Sequence, residues 1–210
     1  MNWIPAAEVK KSRYEQQFGD LDERSLVRKG NAAYAAGLAL LMAGEGEAAD
    51  WFRRAAARWR ESWSGGESWG RPVGALKASL LAHDDAAVEE LAPWTLELGS
   101  ATAESPIGRY AAAIALLALG RWPEARHVAE SLRERDDFPH DVADALAYIS
   151  AHDVAGYAEA VESVVASFET RDEHLEDVAV ADTALALQEL ARRRGMEHTL
   201  PASPVLPGSE

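Results

Sequence analysis

Ser105-Pro106-Ile107-Gly108-Arg109-Tyr110-Ala111-Ala112-Ala113-Ile114-Ala115-Leu116-Leu117-Ala118-Leu119-Gly120 is the stretch that decides the fold class of this chain. Ile107, Tyr110, Ala111, Ile114, Leu117 and Ala118 stand at i, i+3, i+4, i+7, i+10 and i+11, which is one stripe of a helix and not the alternation of a strand. The ends are written in the same residues. Ser105 suits the N-cap, where a side-chain oxygen accepts from the first orphan N–H groups, and Pro106 suits the first helical position. Gly120 can take the left-handed turn that stops the helix.

Outward from that stretch the period repeats. Tyr157, Val161, Val164, Val165 and Phe168 form a second stripe, and Val180, Ala184, Leu187 and Ala191 a third. The third stops at Gly195, behind Arg192, Arg193 and Arg194, whose charges suit the negative end of a helix. Applied along the chain, the same reading predicts helices over 5–18, 23–43, 47–63, 72–83, 85–99, 106–119, 122–135, 139–151, 154–170 and 179–194, and no strand. Short connections between so many helices imply antiparallel neighbours. The expected fold is all-α, with about ten helices in antiparallel hairpins, stacked as a tetratricopeptide-like superhelix or as a compact irregular bundle. Residues 1–198 are expected to form one domain. Residues 199–210, with Pro201, Pro204 and Pro207, cannot continue a helix and are expected to lie as an extended tail across the body.

A weak repeat supports the hairpins. Ala43-Gly44-Glu45-Gly46, Ala82-His83-Asp84-Asp85, Leu119-Gly120-Arg121-Trp122-Pro123 and Ala151-His152-Asp153 each separate two apolar helices, at intervals of about 33 to 40 residues. Ala48, Phe52 and Ala55 give the small-large-small spacing of a tetratricopeptide-type hairpin. Gly30, Gly37 and Gly44 recur every seven positions, nearly on one face of their helix, and would admit a close neighbour.

Composition narrows the function. With 48% hydrophobic and 27% charged residues the chain belongs with globular proteins, and it has no cysteine for disulfides or thiolate metal sites. Its longest apolar run, Tyr110 to Leu119, is far short of a membrane span. No export signal is read at the N-terminus, and the cytoplasm is the expected compartment. Residues 1–70 hold ten bases and ten acids, so the whole net charge of −14 falls on 71–210. Within 153–182 nine acids face a single base, Arg171. Such a surface repels nucleic acid and anionic lipid and attracts basic proteins, although acidity can also serve only solubility or a salty cytoplasm.

Each candidate site has two readings. Three His-Asp pairs, His83-Asp84, His140-Asp141 and His152-Asp153, contain the side chains of a metal-phosphohydrolase, but they stand at turns and helix starts, where Asp caps N–H groups. Glu173-His174 with Glu176 and Asp177 has cation-binding letters, and so has any charged connection. The loop Ser64-Gly65-Gly66-Glu67-Ser68-Trp69-Gly70-Arg71-Pro72 lacks the Gly-Lys-Ser/Thr ending of a phosphate cradle and reads as a mobile binding loop or a linker. No nucleophile elbow is present. No catalytic, cofactor or metal residue is assigned, and the chain is expected not to be an enzyme. Trp59 and Trp63 lie four apart on one helix and project toward Trp69, either filling core or forming an exposed aromatic hot spot rimmed by Arg53, Arg54, Arg58 and Arg60. Glu159, Glu162 and Glu169 lie on one side of a helix, opposite Tyr157, Val161, Val164 and Phe168. Together with Asp172, Glu173, Glu176 and Asp177 they make an acidic ridge able to steer a basic partner, or merely a solvated face.

The later half, from Tyr157–Phe168 through the acidic connection to Leu185-Ala186-Leu187, Leu190-Ala191-Arg192-Arg193-Arg194-Gly195 and the tail with Ser203-Pro204 and Pro207, resembles the bacterial polymorphic-toxin immunity proteins called immunity protein 49. Trp51-Phe52-Arg53-Arg54-Ala55-Ala56 is compatible with the same family. The resemblance implies a cytoplasmic all-α protein that binds and neutralises a toxin domain. It rests on helical pattern and carries over no site residue. A general tetratricopeptide-like scaffold is the alternative, and a helical hydrolase using the His-Asp pairs is a third.

Overall fold

The structure, a computed structural model, describes residues 2–16, 21–66 and 68–208. Among the described residues it is all-α, with α1 (Trp3–Glu15), α2 (Glu23–Met42), α3 (Ala48–Glu61), α4 (Gly70–Leu81), α5 (Asp85–Glu97), α6 (Pro106–Ala118), α7 (Trp122–Arg133), α8 (His140–Ala151), α9 (Val154–Glu169) and α10 (Asp182–Arg193). Short 3-10 turns lie at Ser100–Thr102 and Leu175–Asp177. Each predicted helix is found with its ends moved by three residues or fewer. The expected end of the first at residues 17 and 18, like Glu67 in the glycine loop, lies outside the described residues.

Helices adjacent in sequence are adjacent in space from α1 to α9. α4 touches α6 and α6 touches α8, so these three make a row, and α10 returns to lie against α4, α6, α8 and α9. α6 is the centre. Every residue from Tyr110 to Leu117 is buried, because α4, α5, α7, α8 and α10 surround it. The single-stripe reading of this helix is thereby corrected: it is covered all round, as expected of a helix apolar on every face, and its first stripe residue, Ile107, is 40% exposed beyond the neighbours. Ser105 is the N-cap, but its side chain makes no capping bond; its carbonyl accepts from the Arg109 N–H at 3.2 Å.

The four repeated turns share one geometry. In each, a residue of positive φ follows the helix: Gly44 (73°), His83 (51°), Gly120 (70°) and His152 (59°). Its N–H bonds back three residues, and the next N–H bonds back five, as in Glu45 to Leu40 (2.9 Å), Asp84 to Ser79 (3.0 Å), Arg121 to Leu116 (2.9 Å) and Asp153 to Tyr148 (3.0 Å). This pair of bonds satisfies carbonyls that the helix end leaves orphaned. Gly195 and Met196 repeat it after α10.

Two of the three spaced glycines act as expected. A Cβ at Gly30 would lie 2.7 Å from the Trp59 ring, and one at Gly37 2.7 Å from the Phe52 ring. Gly44 is past the helix end and ends it, so it belongs to the turn and not to that face. α4 begins at Gly70, two residues earlier than predicted. Arg71 holds this junction by donating to the Ser62 carbonyl at 2.6 Å and to Glu23, and Ser64 also donates to Glu23, at 2.6 Å. Both flanks of the loop, at Ser64 and Arg71, are thereby tied to α2. α10 begins at Asp182, not 179, because the backbone before it runs beside the tail: Ala181 N–H donates to the Val205 carbonyl at 2.8 Å. Ser203, Val205 and Leu206 are buried there.

Candidate functional site

The acidic ridge starts from a firm base. Tyr157, Val161, Val164 and Phe168 are buried on one side of α9, which leaves Glu159, Glu162 and Glu169 exposed on the other. Three ridge carboxylates are engaged within the chain. Glu162 pairs with His198 Nε2 at 2.9 Å, Glu169 accepts from the Ser203 hydroxyl, and Glu176 pairs with Lys10 at 3.7 Å and with Arg13. These three brace the tail and α1, so the seven-member ridge is corrected to four outward carboxylates. Glu159, Asp172, Glu173 and Asp177 are exposed and have no side-chain partner among the described residues. Glu176 and Asp177 both have positive φ, 55° and 60°, and this strained turn directs the two side chains apart: Glu176 is only 14% exposed, against α1, while Asp177 is exposed.

The tryptophans form core. Trp59 and Trp69 are 5% and 7% exposed, and Trp63 is half-buried. The Trp59 ring fills the space left by Gly30 and Gly74, with its Nε1 donating to Asn31 Oδ1 at 3.1 Å. Trp63 packs on Trp69 at 5.5 Å between ring centroids and on Trp94 at 6.2 Å. An exposed aromatic groove at Trp59, Trp63 and Trp69 is therefore not formed, because Gly30 and Gly74 make room for the Trp59 ring and Gly108 for the Trp69 ring. Of the arginines expected to rim it, Arg53 instead pairs with Asp50 and Asp84, Arg58 with Glu61, and Arg54 lies 4.4 Å over the Trp51 ring.

The His-Asp pairs serve the turns. Asp84 accepts from the Ala87 N–H at 3.1 Å and Asp153 from the Gly156 N–H at 3.0 Å, each capping the next helix, while His83 and His152 occupy the left-handed positions. Asp141 accepts from the Val142 N–H. Among the described residues no group of three or more His, Asp or Glu side chains is placed to hold a metal ion. His174 lies 6.2 Å from the Phe168 ring and Glu176 faces α1, so the cation-binding letters of 173–177 do not converge.

Sequence reasoning missed the polar groups that seat α10. Asp182, at its first turn, accepts from Lys77 Nζ at 2.6 Å and from the Tyr34 hydroxyl at 2.8 Å, and Lys77 also donates to Thr183 Oγ1 at 3.0 Å. Burial, and then the Asp182 charge, push the Tyr34 hydroxyl well above the ordinary tyrosine range, so it stays a neutral donor. At the other end of α10, Glu189 is 5% exposed and accepts from Arg192 and Arg193, with His83 at 3.4 Å. Burial alone would raise the Glu189 pKa, but the hydrogen bond and charge of Arg192, helped by His83 and Arg193, outweigh it and hold the carboxyl below its usual value. Arg192 and Arg193 thus serve a buried carboxylate besides the helix terminus. The available signal was Lys77 itself, a lone charge in the apolar run Val73-Gly74-Ala75-Leu76-Lys77-Ala78.

Beside this seat lies a cavity of about 410 Å³ between α2, α3 and α4, closed on one side by Leu175 and Asp182. Asn31, Tyr34, Trp59, Arg71 and Lys77 are among its walls. Comparison with known proteins finds no matching family model, no matching curated protein and no matching solved structure. No helix among the described residues is long and apolar enough to cross a membrane.

Proposed function

We propose that this chain is a non-catalytic protein-binding module that resembles an immunity protein and neutralises a basic toxin domain in the cytoplasm. The observation that supports the reading best is the set of four outward carboxylates, Glu159, Asp172, Glu173 and Asp177, at α9 and the connection after it. They stand exposed, without side-chain partners among the described residues, on elements whose other carboxylates are tied down. Carboxylates held on a firm support and open to solvent raise the local concentration of a cationic partner and speed its association. The row α4, α6 and α8 is covered by α10, so the contact surface in this reading is the outer acidic face and not an inner groove.

The equivalent turns favour a second reading, a tetratricopeptide-like scaffold of stacked hairpins with another partner. Coexpression with a basic effector encoded beside this gene, followed by binding kinetics, separates the two. Under the leading reading growth is rescued, and association slows about tenfold or more when Glu159→Gln, Asp172→Asn, Glu173→Gln and Asp177→Asn are combined, with a matching loss at high salt. Binding that ignores both changes sinks the leading reading.

A further inference from the structure

The cavity between α2, α3 and α4 has a chemistry unlike the rest of the molecule. The chain carries a net charge of −14, yet two of the three charged side chains lining this cavity are cationic, Arg71, paired with Glu23, and Lys77, paired with the third, Asp182. Its volume of about 410 Å³ falls within the range of small-molecule pockets, which are apolar in the main with a few converging polar groups. We propose that this cavity binds a small organic carboxylate with an aromatic or apolar body, the carboxylate held by Arg71, Lys77 and Asn31 and the body laid against Trp59, Val73 and Leu175.

Hydrogen-bond accounting supplies the polarity of the ligand. The Asn31 carbonyl oxygen is taken by Trp59 Nε1, which leaves its amide hydrogens to donate. Lys77 gives two of its three hydrogens to Asp182 and Thr183, and one remains. Arg71 is 14% exposed and gives Nη1 to Ser62 and Nη2 to Glu23, leaving its Nε–H without a partner among the described residues. The Tyr34 hydroxyl already donates to Asp182. The unengaged hydrogens of these three side chains are donors, two of them on cationic groups. A carboxylate is acceptor-only, and its bonds to cationic donors are about twice as strong as neutral ones. Trp59 supplies a flat apolar wall, since its ring is packed into place by Gly30 and Gly74. The inference does not depend on the protein-binding reading, which concerns another face.

Benzoate and its neutral counterpart benzamide, titrated into the isotope-labelled full chain, test this by NMR. Benzoate is expected to give saturable shifts of the Trp59 indole and Asn31 side-chain signals, and benzamide to bind about tenfold more weakly for want of the charged bonds. Arg71→Gln should weaken benzoate by a similar factor while the melting temperature and far-UV spectrum confirm the fold. If loss of the Glu23 contact unfolds that variant, Val73→Phe, which fills the cavity from its apolar side, should abolish the shifts instead. Equal binding of benzoate and benzamide overturns carboxylate recognition. No saturable shift at these signals with benzoate, or the same shifts in a folded variant, overturns the site.

Discussion

The α2–α3 joint and the seat of α10 are both buried, but they are held by opposite means. At the joint, Trp59 and Phe52 rings enter the spaces left by Gly30 and Gly37, and Tyr34 leans on both rings at 5.2 and 5.5 Å between centroids. At the seat, an apolar helix face of Ala184, Leu187, Leu190 and Ala191 is fastened at each end by polar groups of other elements, through Asp182 with Lys77 and through Arg193 with Asp85 and Glu189 with His83. Helices adjacent in sequence meet whatever else happens, so shape alone can specify their register. A helix arriving from a hundred residues away needs groups that recognise one position along the row, and the paired charges supply that selection.

The largest test breaks the seat. Asp182→Ala leaves Lys77 buried without its carboxylate and should cost about 3–5 kcal/mol, measured by denaturant unfolding. Gly37→Ala attacks the joint by volume alone, pressing a methyl into the Phe52 ring, and should cost about 1–3 kcal/mol. Relieving a left-handed residue outside both regions supplies a stabilising control: His152→Gly should raise stability by about 1 kcal/mol, and a loss would show that the ring of His152 matters more than its backbone. The smallest effect is pH. Because Glu189 has a folded pKa below its unfolded value, its contribution is present above the ordinary carboxylate value of about 4.3 and is lost as pH falls below it. Amide protection factors in α10, corrected for the intrinsic slowing of exchange in acid, should therefore fall before those of α2 and α3, and Glu189→Gln should flatten the difference.

Much of this was legible beforehand, and the limit has a physical cause. Spacing of apolar residues with turn chemistry placed all ten helices, because both act within a few residues of chain. The same signals marked the four turns, even where histidine took the place of glycine. What they do not carry is partnership over distance. Lys77 with Asp182, or Glu162 with His198, depends on how the row folds back, and nothing near Glu162 in sequence distinguishes it from the outward Glu159. The tryptophans show the same limit: helical spacing placed Trp59 and Trp63 near Trp69, but only the facing Gly30 and Gly74 decide that Trp59 points inward.

Because α10 follows α4, α6 and α8 in chain order yet covers all three, a growing polypeptide emerging from a ribosome exposes that row until residues 182–193 are clear of the exit tunnel. Until then α4, α6 and α8 lack part of their cover. A holdase that recognises bare aliphatic surface would have its opportunity during synthesis and lose it once α10 docks.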